Sequence, residues 1–300
     1  MNDGVTIGPD RALIEGVFRE AYGQAVATLV RVFGDIGIAE DAVQDAFVVA
    51  AERWAGDGIP PNPAGWIVTT ARNRAIDTVR RAARGRELHG ELSAAATSTT
   101  TFDEEILEED PVKDDQLRLI FTCCHPALRT EHQIALTLRL LGGLGVDEIA
   151  RSFLTSEAAM AKRLVRAKYK IKAAKIPYRV PSGADLPERL RSVLSVIYLI
   201  YNTGADDPER ASLRADAVRL ARALAGLMPD EPEAIGLLAL MLLSESRAAA
   251  RMVDGSPVLL ADQDRSRWDA ELIAEGHDLV RRCIRRGRPG PYQLQASIQA

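Results

Sequence analysis

The chain has 300 residues, 47% hydrophobic and 27% charged, with a formal net charge of −4, and that length suffices for two or three domains with their own cores. Net negative charge argues against a protein that coats nucleic acid indiscriminately, and three cysteines give no disulfide framework and fit a reducing compartment. No apolar run reaches the ~18 residues that span a bilayer, and MNDGVTIGPD lacks a basic segment followed by an apolar one, so a cytoplasmic protein is expected.

Ala, Leu and Arg dominate, aromatic residues are few and no stretch alternates, which predicts an all-α fold. The first element is a helix over Arg11 to Phe33, with Leu13, Val17, Tyr22, Val26, Leu29, Val30 and Phe33 inward and a stop at Gly34-Asp35. A second runs from about Ile38 to Trp54. Its Val43, Ala46, Phe47, Ala50 and Trp54 form the inward stripe, and Glu40, Asp41, Gln44, Asp45 and Glu52 form a wet acidic side.

Gly56 to Pro63 reads as a turn in which Asn62 caps and Pro63 takes the first helical position, where its missing N–H costs nothing. The helix that follows is expected to bury Trp66, Ile67, Thr70, Ile76 and Val79 or their neighbours, and to expose Arg72, Asn73, Arg74, Asp77, Arg80, Arg81 and Arg84. From Arg72 to Arg86 six arginines stand against one aspartate. Arg and Asn suit phosphates and base edges, though a plain amphipathic helix with a basic solvent side fits the same residues. Glu87 to Asp115 then holds ten acids and one lysine around a Ser/Thr tract, and residues 87–114 are expected to form a flexible acidic linker.

From Asp115 a helix carries Leu117, Ile120, Phe121 and Cys124 on one side and ends near His125-Pro126. Cys123, Cys124, His125 and His132 admit a thiol or metal site, but adjacent cysteines do not match the spacing of zinc ligands and Cys124 continues an apolar stripe. Thr130-x-x-Gln133 has the form of a capping box for the next helix, which ends at Gly142-Gly143.

Val146 to Phe153 makes a short helix, Leu154-Thr155-Ser156 a tight break, and Ser156 an N-cap for a longer helix with Glu157 in its first turn. Met160, Leu164, Ala167 and Ile171 form its buried stripe, and its other faces carry seven basic residues from Lys162 to Lys175 against Glu157 alone. The pattern suits a helix-turn-helix whose second helix enters a major groove. A solvated basic face on a helical hairpin is the plainer alternative.

After Ile176-Pro177 the composition shifts: from Gly183 onward there are seventeen acids and fifteen arginines, no lysine and no concentrated basic helix. Helices are expected over Leu186 to Tyr201, Glu209 to Met228, Glu231 to Met252 and Ser266 to Arg286. Ser266-x-x-Asp269 resembles a capping box, so the acids of ADQDRSRWD read as loop and cap residues. The closing YQLQASIQA is amphipathic and ends without a cap, which predicts that the C-terminal domain is cut before further helices.

AEDAVQDAFVVAAERW, NPAGWIVTTARNRAIDTVRR and VDEIARSFLTSEAAMAKRLVRAK, in that order and spacing, resemble regions 2 and 4 of extracytoplasmic-function (ECF) sigma factors of the sigma-70 family, across about Val17 to Lys175. The resemblance implies region 2 at 10–86, region 4 at 115–178 and a helical extension at 183–300. It implies that Asp41, Gln44, Asp45 and Phe47 dock on the clamp coiled coil of core RNA polymerase. Arg72, Asn73, Asp77, Arg80 and Arg81 would read and open the downstream promoter element, and Ser156, Glu157, Ala158, Lys162, Arg163 and Arg166 would contact the upstream one.

FTCCHPALRTEHQIALTLRLLGGLGVDEIA is similar to the subgroup with a long, tetratricopeptide-like C-terminal extension, which implies regulation through that extension and a small partner protein. Promoter DNA and RNA polymerase are the expected partners; no catalytic residue, cofactor, metal or membrane is expected. Many family members have Gly in the turn where this chain has Leu154, a residue that tolerates positive φ poorly, which predicts a different turn geometry. Two alternatives remain. One is a helix-turn-helix regulator that grips duplex DNA without polymerase, and the other a thiol or metal enzyme centred on Cys123, Cys124 and His125.

Overall fold

A computed structural model describes residues 9–88, 109–204, 211–253 and 256–300. Those residues are almost wholly helical, in accord with the all-α expectation, and none of their helices is long and apolar enough to cross a membrane. The predicted linker falls largely on residues 89–108, outside the described residues, and its ends at 87–88 and 109–114 belong to the flanking helices. Two compact units divide the chain between Arg189 and Leu190. Arg189, past the 178–183 boundary expected from the sequence, donates from Nη2 to the carbonyl of Phe121 at 2.6 Å within the first unit.

In the first unit, α1 (Pro9–Phe33) stops at Gly34, whose φ of 66° a side chain would resist. Asp35 then caps α2 (Ile36–Asp57), its Oδ1 accepting from the N–H groups of Gly37 at 2.8 Å and Ile38 at 3.2 Å. Asn62 caps α3 (Pro63–Leu88) through a 2.9 Å bond from the N–H of Gly65, with Pro63 first in the helix as expected. The buried stripe of α3 is Ile67, Ala71 and Ala75, while Trp66, Thr70 and Ile76 are half-buried and Val79 is exposed. The small alanines let α3 pack close to α1 and α2, which turns the larger residues partly outward.

Helix α4 (Glu109–Cys123) packs on α1, and its Asp115, buried, accepts from Arg31 Nε at 2.6 Å. Helix α5 (Thr130–Leu140) lacks the capping box read at Thr130-x-x-Gln133. Arg129 occupies the cap position with no side-chain bond, and buried Gln133 donates back to the carbonyls of His125 at 2.8 Å and Leu128 at 3.2 Å. The amide satisfies loop carbonyls that burial removes from water. Helices α6 (Val146–Ser152) and α7 (Glu157–Ala173) pack on each other and on α5.

The second unit is organised around α10 (Pro232–Glu245), PEAIGLLALMLLSE, which is apolar all round and buried from Ala234 through Leu243. A helix of that kind has to be surrounded. Helices α9 (Ala211–Leu227), α11 (Ala270–Arg286) and α12 (Pro291–Gln299) pack against it, while α8 (Leu186–Thr203) meets α12 through Tyr198 and Tyr292, ring centroids 5.5 Å apart. The carboxylate of Glu233 on α10 accepts from the N–H groups of Tyr292 and Gln293 at 3.2 and 3.3 Å, capping α12 from a distance. Asp269 caps α11 directly, and Asp264 caps a short 3₁₀ turn through Ser266, so two of the three acids of ADQDRSRWD serve as caps, with Asp269 in the role the sequence reading gave to Ser266. A two-residue antiparallel pair, β1 (Met252–Val253) with β2 (Ser256–Pro257), replaces the expected end of the third helix. The expectation of no concentrated basic helix here is corrected by the last turns of α11, where Arg281, Arg282, Arg285 and Arg286 are all exposed.

Candidate nucleic-acid interface

The α6–turn–α7 segment has the form the sequence predicts. Ser156 Oγ accepts from the N–H of Ala159 at 3.2 Å, and Glu157 sits in the first turn. Met160, Leu164, Ala167 and Ile171 are buried against α5 and α6, each large apolar member contributing about 1.5–3 kcal/mol. Leu154 overturns the expected change of turn geometry. Its φ is 49°, the left-handed conformation a glycine would take, and its side chain is 81% exposed. The α6–α7 angle is therefore fixed by the packed stripe, and the turn residue bears the strain.

With the stripe buried, Ser156, Glu157, Ala158, Lys162 and Arg166 are exposed and Arg163 is half-buried. Among the described residues, none of Lys162, Arg163 and Arg166 has an ion-pair partner, which leaves their charge available to phosphates. Residues the sequence reading missed extend this face. Val165 and Tyr169 are exposed apolar residues on α7, at 65% and 72%, one and two turns beyond Lys162. Arg129, just ahead of α5, adds charge from a second element: the imidazole pKa of His132 is lowered, first by burial and then by Arg129, Arg163 and Arg166. The Arg immediately before a helix was the signal available for Arg129.

On α3, Asn73, Asp77, Arg80 and Arg81 are exposed and Arg72 is half-buried, Arg72 and Arg81 flanking the Ile67–Ala71–Ala75 stripe and the others on the far side. Arg81 folds back along its own helix, donating from Nε to the carbonyl of Asp77 at 3.2 Å. The side chains of residues 82–88 lie outside the described set, Arg84 included.

On α2 the expected polymerase-facing residues separate. Asp41 and Asp45 are exposed. Gln44 is half-buried and donates to Glu40 Oε1 at 3.0 Å. Phe47 is a core residue, 6% exposed, stacked edge-on against Phe18 with centroids 4.6 Å apart. Its ring packs into the contact between α1 and α2. Glu40, expected on the wet side, is buried at 3%. Its Oε1 accepts from Arg139 Nε at 2.5 Å and its Oε2 from Lys168 Nζ.

Cys123 and Cys124 are buried in the core, Cys124 with its Sγ 3.6 Å from Thr137 Oγ1. Burial pushes the Cys124 thiol up to about 12 and that of Cys123 higher than its ordinary value as well. Such thiols are protonated and poor nucleophiles at neutral pH.

The sigma-70 region 2 family model matches residues 17–85, and the sigma-70 region 4 model matches residues 118–171. The chain belongs to the sigma-70 family. Its relatives place it among the ECF sigma factors: "Probable ECF RNA polymerase sigma factor SigI" of Mycobacterium tuberculosis is 26% identical over 168 residues, 54% of this chain and 56% of that protein. "ECF RNA polymerase sigma factor SigK" of Mycobacterium ulcerans is 24% identical over 140 residues, 45% of this chain and 71% of that one. "Uncharacterized protein R00370" of Rhizobium meliloti is 43% identical over 298 residues, 97% of this chain and 70% of that protein. The extension of this ECF chain, residues 189–284, matches a family of unknown function, DUF6596. No solved structure matches the chain. The α6–α7 segment lies within region 4 and the α2–α3 pair within region 2.

Proposed function

We propose that this sigma factor binds core RNA polymerase through the acidic face of α2 and directs initiation at promoters whose two elements are read by α3 and α7. The observation that carries the reading is the pairing, on one chain and in family order, of an acidic α2 with a region 4 helix-turn-helix whose Lys162, Arg163 and Arg166 have no ion-pair partner among the described residues. Asp41, Gln44 and Asp45 form the polymerase contact; Phe47 supports it from within the core. Arg72, Asn73, Asp77, Arg80 and Arg81 engage the downstream element, where unstacked bases and the displaced strand are guided along positive charge. Ser156, Glu157, Ala158, Lys162, Arg163 and Arg166 engage the upstream element, with phosphate contacts setting register and the N-terminal turn of α7 at the base edges. No covalent step is needed, because opening a few base pairs and capturing them is a binding process, so no residue is assigned catalysis.

The helical extension regulates this activity, acting with a small protein partner, and the protein works in the cytoplasm alongside polymerase. Support for a regulatory role is its separate packing as a second unit beyond both promoter-reading regions. The direct test of the polymerase contact is equilibrium binding of the full chain to core RNA polymerase. Asp45→Ala should weaken it, and unchanged affinity in both Asp41→Ala and Asp45→Ala would remove α2 from the interface.

A further inference from the structure

Region 2 and region 4 meet in this structure, and they meet on the face of α2 just assigned to polymerase. Glu40 neighbours Asp41 and Gln44 on that face, yet its carboxylate is buried beneath two cations from region 4, Arg139 on α5 and Lys168 on α7. A second pair, Lys172 with Asp35 at 3.6 Å, continues the contact along α7. Beneath the charges, α1 approaches the end of α5 closely. A Cβ on Gly23 would stand 2.9 Å from the carbonyl oxygen of Leu141 and 3.2 Å from its Cα, so only glycine fits.

We propose that Glu40, Arg139 and Lys168 form an autoinhibitory latch that holds region 4 beside the polymerase-binding face of region 2 and obstructs polymerase there. The proposal rests on the reading of α2 given above. A buried carboxylate held by charged donors is stable only while both partners are present, and in an opened form the same side chain lies on the solvent face of its own helix. The latch is therefore specific to the closed form, and anything that removes a partner shifts the population toward the open one. Polymerase competes with α7 for the same acidic surface. The N-terminal half of α7 is outside the contact, since Ala158, Lys162 and Arg166 stay exposed. The closed form thus keeps its upstream-element face, and on α2 it buries Glu40 while Asp41 and Asp45 stay exposed beside α7, where region 4 obstructs a bulky partner rather than covering the contact residues themselves.

The test uses the full chain and a zero-length carbodiimide cross-linker, which joins a carboxylate to an amine only in contact. Mapped by mass spectrometry, the free protein should yield an Asp35–Lys172 cross-link, and excess core RNA polymerase should abolish it. Arg139→Gln removes one charge from the latch, and Gly23→Ala wedges the contact apart without touching a charge. Both should lose the cross-link and bind core polymerase about tenfold more tightly, a coupling of ordinary size for linked sites. Absence of the cross-link in the free wild-type protein overturns the latch whatever polymerase does. A cross-link that persists undiminished in the polymerase-bound chain, or variants that lose it without gaining affinity, overturns the antagonism. If the wild-type chain and both variants cross-link as described but none binds polymerase, the sigma reading fails and the inhibitory role with it.

Discussion

The indole rings of Trp54 and Trp66 meet edge to face, centroids 5.3 Å apart and planes inclined at 62°, joining the end of α2 to the start of α3. Trp54 is buried and Trp66 half-buried. Trp66, the one aromatic residue in the sequence of α3, is thereby part of the α2–α3 junction. Trp66→Ala should destabilise the chain by about 2–3 kcal/mol, below the 3–5 of a fully buried site because the ring is half-exposed. Denaturant unfolding measures it. A variant of unchanged stability that fails only in promoter opening would make Trp66 a base-stacking residue instead.

Leu154 supplies a second expected outcome. An L-residue in the left-handed region costs about 1–2 kcal/mol, while glycine loses about 0.5–1 kcal/mol more backbone entropy on folding. Leu154 is exposed, so no packing offsets its strain. Leu154→Gly should therefore stabilise the chain by up to about 1 kcal/mol. A lower unfolding midpoint for the glycine variant would show that the leucine makes a favourable contact at this turn.

The thiols give a chemical check on the enzyme alternative. With Cys123 and Cys124 buried and the Cys124 thiol raised to about 12, a disulfide reagent at neutral pH should label neither residue in the folded protein and both after denaturation. Cys123→Ser and Cys124→Ser should cost stability through a buried hydroxyl while leaving DNA binding by folded protein unchanged. Rapid native labelling at either position would revive a reactive-thiol reading.

His132 and His125 set the acid side of stability. Both imidazoles have folded pKa values below the usual one, in each case first through burial, and then through Arg129, Arg163 and Arg166 for His132 and Arg189 for His125. A base with a lowered folded pKa binds fewer protons folded than unfolded, so its contribution is fully present above the unfolded value of about 6.5 and is lost as pH falls toward the folded one. Stability should drop on acidification through that window, and His132→Gln should flatten the drop. Unfolding free energies measured on either side of about pH 6.5 decide it, and identical slopes for wild type and variant would contradict the assignment.

How far the sequence reaches can be seen from α7 and Glu40. The buried stripe of α7, its Ser156 cap and its basic face follow from periodicity and local capping chemistry, which act within a few residues. The order of regions 2 and 4 was equally legible, because whole motifs carry it. Glu40 was not. On its own helix it reads as one more acid on a solvated side, and its partners lie 99 and 128 positions away. The same limit explains Gln133, read as half of a local capping box but used to close the preceding loop, and the one-step rotation of α3, where alanines define the packed face. Phe47 shows a different conflict. Its periodicity pointed inward while the family resemblance pointed outward, and the packing against Phe18 follows the periodicity.

The central claim is tested most directly by in vitro transcription with purified core RNA polymerase, the full chain as the sole sigma factor and a promoter library, run in parallel with Arg139→Gln to open the latch. Initiation from a defined subset of promoters is expected. Arg163→Ala and Arg166→Ala should each reduce it and lower the salt slope of upstream-element binding by about 0.9. Folded protein that supports no specific initiation, in either the wild-type or the Arg139→Gln form, while binding duplex DNA tightly by itself, would contradict the account.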